Sequence, residues 1–184
     1  SQSINILTEE AIERKLHANE YSYAVDRENS EIQRFDVSQL PSIDPIEDSH
    51  VEQILTNNGN DVWFYGVFDG HGGSYTSSKL TTDLIPYVAR YLAPVFSKPE
   101  YSQQDINKSF QDAFVELDND IVLNGFKDLF AAPSRETLLE KTLPAISGSC
   151  CLLTMYATKN SMLTISITGD SRAILVSRAH ASDN

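Results

Sequence analysis

Apolar positions along the chain alternate in short runs toward both ends and recur every three to four residues in the middle. The densest run is Val62-Trp63-Phe64-Tyr65-Gly66-Val67-Phe68, whose β-branched and aromatic residues predict a buried strand. It stops at Asp69-Gly70-His71-Gly72-Gly73. Residues 50–55 alternate weakly, and Asn57-Asn58-Gly59-Asn60 is a strong turn signal. The two segments therefore predict a hairpin, which would bring Glu47 and Asp48 beside Asp69, since paired strands lie about 5 Å apart. Residues 74–92 predict a helix, with Leu80, Leu84, Val88 and Leu92 at four-residue spacing and Pro86 expected to bend or interrupt it. Ser102 is the expected N-cap of a second long helix reaching about residue 124. Its apolar face is Ile106, Phe110, Phe114, Leu117 and Ile121, and Gly125 stands at the stop position.

Residues 149–158 and 161–168 form a further hairpin signal around Lys159-Asn160, and residues 172–177 predict one more strand. Near the start, Thr8 caps a short helix to about Ala18, with Leu7 and Ile12 spaced as a staple. A strand at 21–25 and a polar loop over 26–44 follow. Residues 126–144 are the least regular, with a short helix expected over 134–141. Hairpin strands with two long helices grouped between them predict an α+β fold, not alternating βαβ units.

At 184 residues, with 41 % hydrophobic and 22 % charged residues, the chain fits one domain with a sizeable core. No apolar run approaches the length of a membrane span. The formal net charge of −12 excludes a sequence-independent grip on nucleic acid, which needs Lys and Arg against the phosphates. The two cysteines, Cys150 and Cys151, are neighbours that rarely satisfy disulfide geometry, and they read as small core or near-core residues.

Candidate chemistry gathers where strands end. Asp69 follows the apolar strand, Glu47-Asp48 precede its hairpin partner, and Gly169-Asp170-Ser171-Arg172 follow the strand at 161–168. Carboxylates and backbone carbonyls suit a hard divalent cation. Taken alone, Asp-Gly-His-Gly-Gly is equally a tight turn; the three acidic segments together point to a site for more than one metal ion.

The segments GVFDGHGG (66–73), PIED (45–48), SGS (147–149) and TGDSRAIL (168–175) stand in the order found in the protein phosphatase 2C family, which this chain resembles from about residue 19 onward. Ala18-Asn19-Glu20-Tyr21-Ser22-Tyr23, Gln39-Leu40-Pro41 and Pro45-Ile46-Glu47-Asp48 are similar to its mitochondrial pyruvate dehydrogenase phosphatase branch. The resemblance implies a β-sandwich of antiparallel sheets flanked by helices, of which residues 1–184 would be the N-terminal part. It implies a Mg²⁺- or Mn²⁺-dependent protein Ser/Thr phosphatase that uses two metal ions. Its substrate would be a phosphorylated protein, a pyruvate dehydrogenase subunit by the branch, and its location mitochondrial.

By the same resemblance Asp69 bridges the metals, the Gly70 carbonyl binds one, and Glu47 and Asp48 hold metal-bound waters. Asp170 is the ligand of a third, weaker ion; the alternative is a turn carboxylate before Ser171. His71 is the candidate general acid, or else it orients a water or steadies the turn. Arg172 reads as an ion-pair partner of a carboxylate, the favoured structural role, or else of the substrate phosphate. His17, His50 and His180 have no supporting residues in sequence.

The chain departs from the family in two ways. Ile43 stands where many members carry an arginine that contacts substrate phosphate, and the mitochondrial branch also lacks that arginine. The family's later metal-binding aspartates lie beyond GDSR, and Asp183 cannot be assumed to replace them. Residues 1–184 alone are therefore expected to be inactive or very weak. A non-catalytic phosphatase-like binding module and a structural calcium site are the rival readings.

Overall fold

The computed structural model describes residues 6–27, 30–57, 60–124, 127 and 134–177. The Asn58-Gly59 turn, the Gly125 stop, His180 and Asp183 lie outside the described residues. The chain divides into two compact units, Ser1–Ile46 and Glu47–Asn184.

In the first unit, helix α1 (Glu9–Leu16) starts at Thr8, whose hydroxyl accepts from the Ala11 N–H. Glu9 and Glu10 lie in its first turn and Arg14 and Lys15 in its last, each sign complementing the helix dipole. Strand β1 (Glu20–Ala24) pairs antiparallel with β2 (Arg34–Ser38). The second strand falls within the predicted loop over 26–44. Phe35 and Val37 are half-buried between exposed Arg34, Asp36 and Ser38, and Phe35 stacks on Tyr23 at 4.9 Å. Such a five-residue alternation is too short to stand out of a polar stretch until its cross-strand partner is known.

The second unit is built on a four-stranded antiparallel sheet. Strands β3 (Ser49–Asn57) and β4 (Asn60–Phe68) form the predicted hairpin. A two-residue strand β5 (Gly70–His71) follows, then helices α2 (Tyr75–Phe96), α3 (Gln103–Asn119) and α4 (Arg135–Ile146). Strand β6 (Gly148–Ser149) pairs with β5, and β7 (Cys151–Ala157) and β8 (Met162–Thr168) complete the main sheet in the order β3-β4-β7-β8. This is an α+β fold of antiparallel sheets and helices.

One sheet face supplies Phe64, Phe68, Leu153 and Met155 to the core. The predicted helix stripes meet them: Leu80, Leu84, Val88 and Leu92 from α2, and Ile106, Phe110 and Leu117 from α3. The alternate positions Ile54, Val67, Leu163, Ile165 and Ile167 are exposed, so the sheet has a second apolar face, as a sheet built for a sandwich does.

Helix α2 runs through both Pro86 and Pro94, where an interruption was expected. Both prolines are exposed, as are Thr82 and Arg90, four residues before each. The prolines and the residues whose carbonyls lose a helical partner thus lie on the exposed side of the helix, while the buried Leu84, Ile85, Val88, Leu92 and Val95 hold the opposite side to the core. Helix α4 likewise extends past its predicted end and includes Pro144. Residues 172–177 form no strand among the described residues, and Ile174, Leu175 and Val176 are 79 %, 76 % and 84 % exposed. Apolar character alone makes no strand without a neighbour to complete the ladder.

Ser102 forms a full capping box with Asp105, each side chain accepting from the other's backbone N–H. The helix ends in a π turn, Asp120–Asn124. Hydrogen bonds from Ser102 hold the Asp105 carboxyl down at about 2. A group with a depressed folded pKa stabilises above its unfolded value, and that stability is lost as pH falls through the folded one. We expect Ser102→Ala to lower Tm by about 3 °C at neutral pH. The wild-type advantage from Asp105 should hold above the normal aspartate range and fade as pH falls toward about 2. Thermal melts across that range check it, and a pH-independent difference would contradict it.

Candidate active site

Strand register gathers the acidic segments. Ser49 pairs with Phe68, Val67 with Leu152 and Cys151 with Thr168. The residues just beyond those pairs all emerge at one end of the sheet: Glu47 and Asp48 before β3, Asp69 after β4, Cys150 before β7, and Gly169 and Asp170 after β8.

Asp69 is exposed, and its carbonyl accepts from the Cys150 N–H at 2.8 Å. Its carboxylate, the Cys150 thiol and the Asp170 carboxylate place one donor atom each within 4.8 Å of one another. Among the described residues this is the group of three whose donors converge in a way that could hold a metal ion. Cys150 Sγ lies 3.3 Å from Asp170 Oδ1. The donor chemistry fits a hard divalent cation, because two carboxylates from separate strand ends are what such an ion takes.

Gly70 is buried because its backbone lies against Glu47. A Cβ at Gly70 would stand 2.0 Å from the Glu47 carbonyl oxygen and 2.8 Å from Ser77 Oγ. The Ser77 hydroxyl, fully buried, donates to that same Glu47 carbonyl, and Ser49 Oγ lies 3.3 Å from Ser77 Oγ. The Glu47 side chain points elsewhere: its Oε1 accepts from the Gly73 N–H at 2.8 Å. Gly73 has φ of +115°, a backbone setting that side chains disfavour, so Glu47 pins an otherwise costly glycine turn. Asp48 is half-buried one residue before β3, and neither Glu47 nor Asp48 belongs to the three-donor group.

His71 is exposed, and its ring lies over Gly148, where a Cβ would fall 2.2 Å from Nε2. The pairs Gly70–Ser149 and His71–Gly148 hold the turn against the segment that follows α4. That segment is itself anchored: Thr76 Oγ1 lies 2.6 Å from Ser147 Oγ and donates to the Pro144 carbonyl at 2.8 Å.

The two cysteines part company. Cys151 is buried, and burial together with its neighbour pushes its thiol up to about 12. Cys150 is half-buried, as a near-core residue would be, and its thiol lies beside the carboxylates. The signal was available in the hairpin around Lys159-Asn160, since the residue before β7 must lie across from the residues after β8. His50 and His17 have carboxylate partners that sequence did not indicate, Glu52 for the first and Glu13 and Glu20 for the second. Arg172 is exposed and makes no ion pair among the described residues.

A helix-backed antiparallel sheet that ends in converging carboxylates defines an α+β protein with a metal-competent site. The chain belongs to the protein phosphatase 2C family, whose match covers residues 41–183. It is 46 % identical over 95 % of its length to the mitochondrial pyruvate dehydrogenase [acetyl-transferring] phosphatase 1 of Saccharomyces cerevisiae, covering 32 % of that protein. Over 90 % of its length it is 38 % identical to a protein phosphatase 2C homologue of Schizosaccharomyces pombe, covering 38 %. The human mitochondrial pyruvate dehydrogenase phosphatase 1 is 40 % identical over 48 % of this chain, which covers 17 % of that protein. The chain thus spans about a third of the length of the two yeast relatives.

Proposed function

We propose that the protein containing this chain is a Mg²⁺- or Mn²⁺-dependent protein Ser/Thr phosphatase of mitochondria, with a phosphorylated pyruvate dehydrogenase subunit as substrate. The family match supports the reaction, and the similarity to the Saccharomyces cerevisiae phosphatase supports the substrate and location. The convergence of Asp69 and Asp170 at one sheet end is the observation that carries the reading. Residues 1–184 are proposed to be the N-terminal part of one catalytic domain; the family match over residues 41–183 supports a single domain there.

In this reading the Asp69 carboxylate and the Gly70 carbonyl would hold the two ions, and Asp170 would hold a third. When bound, such ions make a water acidic and neutralise phosphoryl charge. Glu47 keeps the Asp-Gly-His-Gly-Gly turn in shape through the Gly73 N–H, and with Asp48 it orders water at the rim. His71, exposed on that turn and braced by Gly148, is set to donate a proton to the departing serine or threonine oxygen. The net charge of −12 leaves phosphate recognition to the metal ions and to local groups.

The test is Mn²⁺-dependent release of phosphate from a phosphoserine peptide by the full-length protein. A chelator should abolish it and added Mn²⁺ restore it. His71→Gln should lower kcat by about 100-fold with little change in metal affinity. Residues 1–184 alone should be far slower than the full-length protein. Metal binding without turnover in the full-length protein would favour a non-catalytic binding module instead.

A further inference from the structure

We propose that Cys150 is a third donor at the Asp69–Asp170 centre and gives it affinity for thiophilic divalent cations, Zn²⁺ and Cd²⁺. The inference rests on reading this centre as a metal site, and it adds a ligand and a class of ion to that reading.

Three observations carry it. First, the thiol is within reach of both carboxylates: the three donor atoms lie within 4.8 Å of one another, and Sγ is 3.3 Å from Asp170 Oδ1. Second, the backbone places it. The Cys150 N–H donates to the Asp69 carbonyl at 2.8 Å, which ties the thiol's residue to the carboxylate's residue before any ion arrives. Third, the space for the sulfur depends on a neighbour without a side chain. Gly169 has φ of +101°, and a Cβ there would stand 2.4 Å from Cys150 Sγ and 2.7 Å from its Cβ.

Two oxygens and a sulfur make a mixed donor set. Mg²⁺ and Mn²⁺ prefer oxygen, so for them the thiol is a bystander beside Asp69 and Asp170. Zn²⁺ and Cd²⁺ accept carboxylate oxygen and bind thiolate strongly, so for them the same geometry offers one more good ligand. Coordination exchanges the S–H bond for a sulfur–metal bond, and the proton leaves to solvent. An ion held by Cys150 also occupies Asp69 and Asp170, so thiophilic cations compete directly with the hard ions for this centre. Cys151 cannot substitute, because its side chain is packed in the core at 5 % exposure.

The experiment titrates the full-length protein with Cd²⁺ and reads the ultraviolet sulfur-to-cadmium charge-transfer band, while Mn²⁺ binding is followed separately by electron paramagnetic resonance. Wild type and Cys151→Ala should both develop the band. Cys150→Ser and Cys150→Thr should lose it and bind Cd²⁺ about 100-fold more weakly, with Mn²⁺ affinity changed less than about threefold. Agreement between the two Cys150 variants, with Mn²⁺ binding kept, ties the loss to the donor and not to misfolding. Intact Mn²⁺ binding with no band in wild type, or with an undiminished band in Cys150→Ser, would overturn the role of Cys150 alone. Failure of wild type to bind Mn²⁺ or Cd²⁺ would overturn the metal-centre reading together with it.

Discussion

Asp69→Asn in the full-length protein is expected to lower metal-dependent phosphoserine hydrolysis by about a thousandfold, or about 4 kcal/mol of barrier. The substitution keeps the size of the side chain and removes one negative charge. Asp69 is exposed, and its backbone contact to Cys150 runs through the main-chain carbonyl, which the substitution leaves in place. Folding should therefore be close to unchanged while the centre loses the carboxylate that reaches toward both Cys150 and Asp170. The decisive comparison is kcat/KM against Mn²⁺ concentration together with a thermal melt. A variant with normal turnover would remove Asp69 from the mechanism. One that unfolds while its residual folded fraction works normally would show a structural carboxylate instead.

The second large effect concerns the fold under the site. Gly70→Ala is expected to destabilise the protein by about 3 kcal/mol and to lower Tm by roughly 10 °C. The new methyl would stand 2.0 Å from the Glu47 carbonyl oxygen, a backbone atom that cannot swing aside. Moving it would also disturb the buried Ser77 hydroxyl that donates to it. Gly72→Ala, two residues on, is the informative contrast. Its nearest heavy atom would be 3.9 Å away, and only the φ of +71° opposes a side chain, which costs about 1 kcal/mol. Differential scanning of both variants reads the difference. Equal melting shifts would mean that conformational preference, and not the contact with Glu47, makes glycine necessary at position 70.

Much of the frame could be read directly. The Val62–Phe68 run, the stripe Leu80, Leu84, Val88, Leu92 and the cap at Ser102 each carry their structural meaning within a few residues. The places that could not be read depend on partners distant in the chain. Strand β2 became recognisable through Phe35 against Tyr23 across the strand pair. Pro86 was tolerated because its helix turns it to water, which is a matter of which face is packed. Residues 172–177 have apolar character but no ladder among the described residues.

The candidate site divides in the same way. Sequence by itself determined that Glu47, Asp48, Asp69 and Asp170 stand at strand ends, that glycines surround His71, and which family the motifs resemble. Only tertiary structure decided that Glu47 turns its carboxylate to the Gly73 N–H, that His71 rests over Gly148, and that Cys150 rather than Cys151 faces the carboxylates. Periodicity is a local property, because each residue's place on a helix or strand follows from its near neighbours. The direction of a side chain at a strand end follows from register between segments that are not neighbours in the chain, and from which glycine leaves the room it needs.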